Sequence, residues 1–529
     1  MMRTLIALIP MLAVLQSAVA QQAPSEESLA AQALLRERWF EVSTGNFHVI
    51  SQLSRGESER IARDLEQWRE AAITLLGHSA SAAQDSLTTH VYVFESEQAL
   101  RVFTDGPENA YYTSSPRAAY LAMTESDAAM DLAQHHMAHY LINNQPIGMP
   151  RWYEEGMAHY LSRLGVQSDV AELRELSPED MDRAITFNDM LGLEALLYDD
   201  NALSSPRVIQ IANYKAGLFM HFLLHAHEVE GFTDRREQLR NYVALLQQGR
   251  TERFAFDQAF DASPNRLASE YLRYLQAVLE AGDPERTLVA LSPLDELDAE
   301  ETNEEAMTLA LGELALYAGR LEQSQSLFGS LTQAQTSIGR AYSGLADAVR
   351  MQDFDSAGAN RDTVATDLRS LYLRALTTQE SDPQLLLDYG QYLDTELGNC
   401  ERVYTEAERR EMEVAMRNAF TAVLSRQPDS AEVNLSYARL FLLPGQNWQE
   451  GEAYQRKAFA TLAADTYVME QAIDYEIAAG RFDTARGYIA RLARPMHFWG
   501  VPAWVTDLRT KLNSAEQGLI FDPCASTTP

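Results

Sequence analysis

The chain has 529 residues, 46% hydrophobic and 22% charged, with 76 Asp and Glu against 43 Lys and Arg for a net charge of −33. That length carries two or three domains with real cores, and the acidic excess excludes a nucleic-acid surface and adhesion to an anionic membrane. The only two cysteines, Cys400 and Cys524, exclude a disulfide-stapled scaffold and a cysteine-rich zinc protein. Whether the two pair, pinning the C-terminal tail to the body of the second domain, stays open at this level.

Residues 1–20 read as a secretory signal peptide. Arg3 supplies the positive start, Leu5 to Leu15 the apolar stretch, and Ala18-Val19-Ala20 the small-residue cleavage site. The apolar run is too short for a spanning helix, and no other run approaches the roughly 18 apolar residues that one requires. An exported protein, periplasmic or secreted and without stable membrane insertion, is the expectation. After a polar lead-in, Leu29 to Arg38 is helical, and Trp39 to Ile50 is a hairpin around Thr44-Gly45-Asn46. From Glu57 to Leu76 the apolar positions return at three and four residues, and Gly77 closes the helix. His90 to Phe94 is a short strand, Ser96 to Phe103 a helical segment, and Ala118 to Ala122 another strand.

The chemistry lies in the next forty residues. Ser126 to Asn143 predicts a helix on which Asp131, His135 and His139 follow at steps of four on one face. Two imidazoles one turn apart are the geometry that clamps a single zinc ion. Pro150, a favoured first-turn residue, opens a second helix to Leu164 that brings in Glu155 as a third, carboxylate ligand. Three protein ligands with a fourth place left for water make a catalytic zinc site. Glu154, the neighbour of Glu155, reads as a solvated charge pointing elsewhere. Where an H-E-x-x-H motif has its general base, this sequence has His136.

These segments resemble the peptidase MA-like (gluzincin) domain family. In that family an "HE-L-x-H" segment is followed, after a short gap, by "P-x-W-x-x-E-G-x-A-x-Y". Here Pro150, Trp152, Glu155, Gly156, Ala158 and Tyr160 match the second part position by position. The resemblance covers about residues 39–280. It implies an α+β zincin-like fold and a Zn²⁺ cofactor held by His135, His139 and Glu155. It also implies that the residue four after the ligand Glu is acidic and orients a zinc histidine. That place is His159, which either stands behind the ligands or closes the site as a fourth. An aromatic hydroxyl on a following helix, Val208 to His225, makes Tyr214 the candidate for stabilising a developing oxyanion. His136, an imidazole in the base position, can move protons near neutral pH, but losing a positioned carboxylate base costs on the order of a hundred- to ten-thousandfold in rate. A degenerate peptidase is therefore favoured over an active one.

Gly165 to Leu203 is mixed, with Glu172, Glu175, Glu179 and Asp180 as a charged, solvated run. His221, His225 and His227 read as ordinary helix residues, and Ser263-Pro264 to Ala281 as a terminal helix. The domain runs over 21–285. Asp283-Pro284, Ser292-Pro293 and the acidic stretch Asp295 to Glu305 mark a linker at 286–300. From 301 to 529 the chain is Ala- and Leu-rich and helical. Ala318-Gly319-Arg320-Leu321-Glu322 and Ala479-Gly480-Arg481-Phe482-Asp483 are near copies, each joining two amphipathic segments. This resembles tetratricopeptide repeats with degenerate spacing. Such an all-α solenoid implies a groove for a peptide or protein partner, with Trp499, Pro502 and Trp504 as a cap. The alternative function is accordingly a periplasmic protein–protein interaction scaffold.

Overall fold

A computed structural model of the chain describes residues 25–77, 87–105, 108–144, 148–167, 169–177, 183, 186, 190–203, 205–282, 286–355, 361–378, 382–399, 404–494 and 501–519. The signal-peptide residues, Cys400, Cys524, Glu179, Asp180, Trp499 and the tail from Asp522 lie outside these.

Local signals place the first elements close to where the sequence puts them, except that the first helix starts inside the expected polar lead-in and stops short of Arg38. α1 (Glu26–Leu34) leads into β1 (Phe40–Ser43) and β2 (Phe47–Ser51), antiparallel across the Thr44-Gly45-Asn46 turn. α2 (Arg55–Leu76) starts on a reciprocal Ser54–Glu57 capping box and ends at Gly77, whose φ of 70° is the left-handed conformation glycine supplies without strain. β3 (Thr89–Phe94) follows, then α3 (Glu97–Leu100), a single turn that stops short of Phe103. β4 (Ala110–Ser114) and β5 (Ala119–Thr124) form a second hairpin. Next come α4 (Asp127–Asn143), α5 (Arg151–Leu161), and a small hairpin, β6 (Leu164–Gln167) with β7 (Val170–Leu173). Among the described residues the following helices continue this half: α6 (Leu193–Tyr198), α7 (Pro206–His225), α8 (Arg236–Gln247), α9 (Glu252–Ala259) and α10 (Pro264–Ala281).

The stretch 286–300, expected as a linker, is instead woven into both sheets. β8 (Arg286–Ala290) pairs with β7, and β9 (Glu300–Glu301) pairs with β1. The main sheet has the order β4-β5-β3-β2-β1-β9, with β2, β3 and β5 mutually parallel at its centre.

Because successive strand residues point to opposite faces, the sheet has two apolar sides. Val91, Val93, Leu121 and Met123 pack with Leu65 and Trp68 of α2 and Ala133 and Met137 of α4. Tyr92, Phe94, Tyr120 and Ala122 need a second layer. It comes from α11 (Glu304–Tyr317) and α12 (Leu321–Gln333), through Met307, Leu311, Leu314 and Leu327. The C-terminal half therefore begins as the missing face of the N-terminal sheet.

Beyond it runs a helical array: α13 (Gly339–Asp355), α14 (Arg361–Thr378), α15 (Pro383–Gly398), α16 (Glu406–Leu424), α17 (Ala431–Arg439), α18 (Trp448–Thr461), α19 (Thr466–Ala478), α20 (Phe482–Leu492) and α21 (Ala503–Glu516). The near-copy turns fold alike. Gly319 and Gly480 have φ of 73° and 71°, and the Arg320 and Arg481 amides bond back to Ala315 O at 2.7 Å and Glu476 O at 2.8 Å, the six-to-one closure of a Schellman turn. Among the described residues no helix is long and apolar enough to cross a membrane.

Among the described residues the array also meets the sheet domain through polar contacts at the β4–β5 hairpin and at the end of α4. Arg117, at the tip of the β4–β5 hairpin, donates to Asp388 on α15 at 2.6 Å and to Glu432 on α17 at 3.0 Å. Arg491 and Arg494, at the end of α20, reach Asn143 and Met149 at the connection between α4 and α5.

Candidate metal centre

Three helices build the site. Ser126 caps α4 by accepting from the Ala129 amide, and Ala129, Ala133, Met137 and Ala138 lay it on the sheet. α5 is buried along nearly its whole circumference and is pressed against α7 by two glycines. A Cβ on Gly156 would stand 2.8 Å from Ala216 O, and one on Gly217 would stand 2.7 Å from His159 Cβ. Only hydrogen fits at either place. The glycine of the Glu-Gly-x-Ala segment is thus a requirement of packing.

This packing brings His135, His139 and Glu155 together. His135 Nε2 and His139 Nε2 are 3.1 Å apart, and Glu155 Oε2 lies 3.8 Å from the first and 3.7 Å from the second. Donors about 2.0–2.1 Å from a tetrahedral zinc ion stand roughly 3.3 Å from one another, so two imidazoles and one carboxylate at these spacings suit a single Zn²⁺. The electrostatics agree. Glu155 is fully buried, and that burial pushes its carboxyl up to about 7, against the pull of His139 and Arg151. A cation held beside this carboxyl would favour its ionised form against that burial.

Glu154 is not a solvated charge. It is buried, and its Oε1 lies 2.9 Å from His139 Nδ1. Burial works against its ionised form, but the hydrogen bonds from His139 and Asn143 and the charge of Arg494 hold it below the usual carboxylate range. An ionised carboxylate only accepts, so His139 carries a proton on Nδ1, and Nε2 is the nitrogen that faces His135 and Glu155. For His139 too, burial opposes charge, and Glu154 and Glu155 outweigh it to raise its pKa. The acid against the outer nitrogen of His139 is thus Glu154, one residue before Glu155, and not the residue at position 159.

His159 lies at the edge of the cluster, its ring centroid 4.6 Å from that of His135. Ligand atoms of His135, Glu155 and His159 also lie within 4.8 Å of one another, so His159 can join the set. Burial, then the charges of His139 and Arg163, push His159 down to about 4. His136 is half-buried, 6.0 Å from His135 between ring centroids, and burial plus His139 push it down to about 4 as well. Asp131 leaves the histidine face and pairs with Arg174 at the surface, at 2.5 Å. Tyr214 is half-buried in the main core on α7, three residues before the Gly217 that receives His159. His221 and His225 pack away from the centre, His221 bonding Tyr274 and His225 bonding Tyr160, each at 2.9 Å.

Sequence reasoning passed over Glu154, Asn143 and Arg491. A second carboxylate in the first turn of α5 was a usable signal for Glu154. Nothing local marks Arg491.

No family model matches the chain, and no curated protein matches it. Among solved structures the chain is similar to a thermophilic TPR protein of Thermus thermophilus, at 16% identity over 40% of this chain and 99% of that one, with a TM-score of 0.31.

Proposed function

We propose that the chain is an exported zinc-binding protein of the metallopeptidase-like, gluzincin type, with a hydrolytic step that is lost or strongly reduced. The observation that carries this reading is the convergence of His135 Nε2, His139 Nε2 and Glu155 Oε2, with Glu154 on the outer nitrogen of His139. Bound there, the ion would supply Lewis-acid polarisation of a carbonyl and of water. The chain's own residues limit the chemistry. His135, His139 and Glu155 hold, and Glu154 orients. His136, in the place of the base and pushed down to about 4, takes up few protons at neutral pH, whereas general-base catalysis favours a pKa near the working pH. Tyr214, on the helix beneath the site, is the proposed hydroxyl donor. Export rests on Arg3, Leu5 to Leu15 and Ala18-Val19-Ala20.

A second reading, an interaction scaffold, is favoured by a cavity of about 480 Å³ between the Arg117 hairpin tip and the array. Its walls include Gln384, Gln427, Asp429, Glu432 and Lys457, polar groups suited to an extended peptide segment.

The test is metal content of the purified mature protein beside a His135→Ala/His139→Ala double variant. About one zinc per chain, lost in the double variant, supports the first reading. No metal in either, with folding intact, sinks it and leaves the scaffold. Hydrolysis of a generic protein substrate gained by His136→Glu would show that only the base is missing.

A further inference from the structure

Arg491 stands 348 residues beyond Asn143 in the chain, yet it touches the connection between the two ligand helices. Its Nη2 donates to Asn143 O at 2.5 Å and lies 3.4 Å from Asn143 Oδ1. Asn143 Nδ2 donates to Glu154 Oε1, the oxygen that accepts from His139 Nδ1. One turn along, Arg494 donates to Met149 O and pairs with Glu252 at 3.3 Å. Gly148 closes on the same side chain, since a Cβ there would stand 2.9 Å from Arg491 Cδ. The end of α4 and the start of α5 are therefore both held by the far end of the array.

We infer that Arg491 is a positioning residue for the metal centre, acting through Asn143 and Glu154 on His139; this rests on the zinc reading above. The reasons are physical. Asn143 is the last residue of α4, where backbone carbonyls have no helical donor and a cation complements the helix dipole. Its side-chain amide fits either way round by shape, but a guanidinium has donors only. Arg491 accordingly selects the orientation with Oδ1 toward itself and Nδ2 toward Glu154. With that donor in place, Glu154 keeps its oxygen on His139 Nδ1. Loss of an outer partner that orients a ligand histidine typically weakens metal binding by about ten- to a hundredfold.

The test uses the full mature chain as wild type, Arg491→Met, Arg491→Lys and Arg486→Ala. Methionine keeps the stem packed on Gly148 and removes the donors. Arg486 lies on the same helix but pairs with Asp483 and Glu516. Two quantities are read: zinc affinity by competition with a chromophoric chelator, and the imidazole ¹⁵N shifts of His139 in the metal-free protein, which report the proton on Nδ1. Arg491→Met is expected to lose about tenfold or more in affinity and to move the His139 shifts, with Arg491→Lys between it and wild type and Arg486→Ala unchanged. If wild type takes up no zinc but the His139 shifts still move in Arg491→Met, the zinc reading fails and the positioning role stands. Unchanged shifts in a folded Arg491→Met protein overturn the role, even if zinc binding falls, since the effect would then not run through Glu154. If Arg491→Met does not fold, Arg491→Lys decides by the same criteria.

Discussion

Glu154 Oε1 accepts a hydrogen bond from His139 Nδ1 at 2.9 Å, and this one contact settles which nitrogen of the ring faces His135 and Glu155. Adjacent carboxylates on one helix thus have separate tasks, one toward the inner nitrogens and one on the outer nitrogen. Glu154→Ala should weaken zinc binding by about ten- to a hundredfold while leaving one equivalent bound at saturation. Glu155→Ala should remove most of the affinity. Chelator competition on both variants is the check, and equal effects would show that the two carboxylates do not divide the work.

Gly156→Ala should destabilise the protein by about 1–3 kcal/mol, the usual cost of overpacking. The new Cβ meets Ala216 O at 2.8 Å, and backbone cannot swing aside as a flexible side chain can. A lower urea midpoint with an unchanged slope is the expected result. A midpoint equal to wild type would mean that α5 and α7 separate at little cost.

Arg117→Ala should loosen the array from the sheet domain. It strips one cation from Asp388, which is 1% exposed at its side chain, and from Glu432. Removing one partner of a buried pair costs about 3–5 kcal/mol, and the lower end applies because Arg340 still meets Asp388 at 3.0 Å. Guanidinium unfolding of the variant beside Asp388→Asn/Arg117→Ala measures it. The double variant should recover part of the loss, because the stranded charge is gone.

Asp465, the N-cap of α19, accepts from the amides of Tyr467 and Val468. Burial pushes its carboxyl from 3.8 up to about 6, against the pull of those bonds. The unfolded chain releases this proton near 3.8 and the folded chain near 6. The contribution is therefore full below the unfolded value, falls as pH rises between the two, and stays low above about 6. Asp465→Asn caps the helix equally well and does not ionise. It should match wild type at about pH 3.5 and exceed it at about pH 7 by up to about 3 kcal/mol. A constant difference across that range would place the effect elsewhere.

Much of the fold is legible one turn at a time. Ser54 with Glu57, Gly77 and Pro264 each act on neighbours within four residues, so the helices they bound can be read directly. The strands β8 and β9 could not be read that way. Arg286–Ala290 has the proline and acidic neighbours of a linker, and only pairing with β7 makes it a strand. The two-sided apolar sheet likewise calls for a second layer, but nothing local says that α11 and α12 provide it.

The candidate metal centre divides in the same way. That two imidazoles stand one turn apart on a helix, and that a helix bearing two carboxylates comes next, can be read from residue order, because spacing along a regular helix is enough for it. Which carboxylate faces the inner nitrogens, which takes His139 Nδ1, and that Arg491 closes the set are matters of packing between distant parts of the chain. The rotation of α5 against α4 is set by the contacts of Gly156 and Gly217 across α7, and the place of Arg491 by the course of the whole array. Neither is a property of any short stretch of chain.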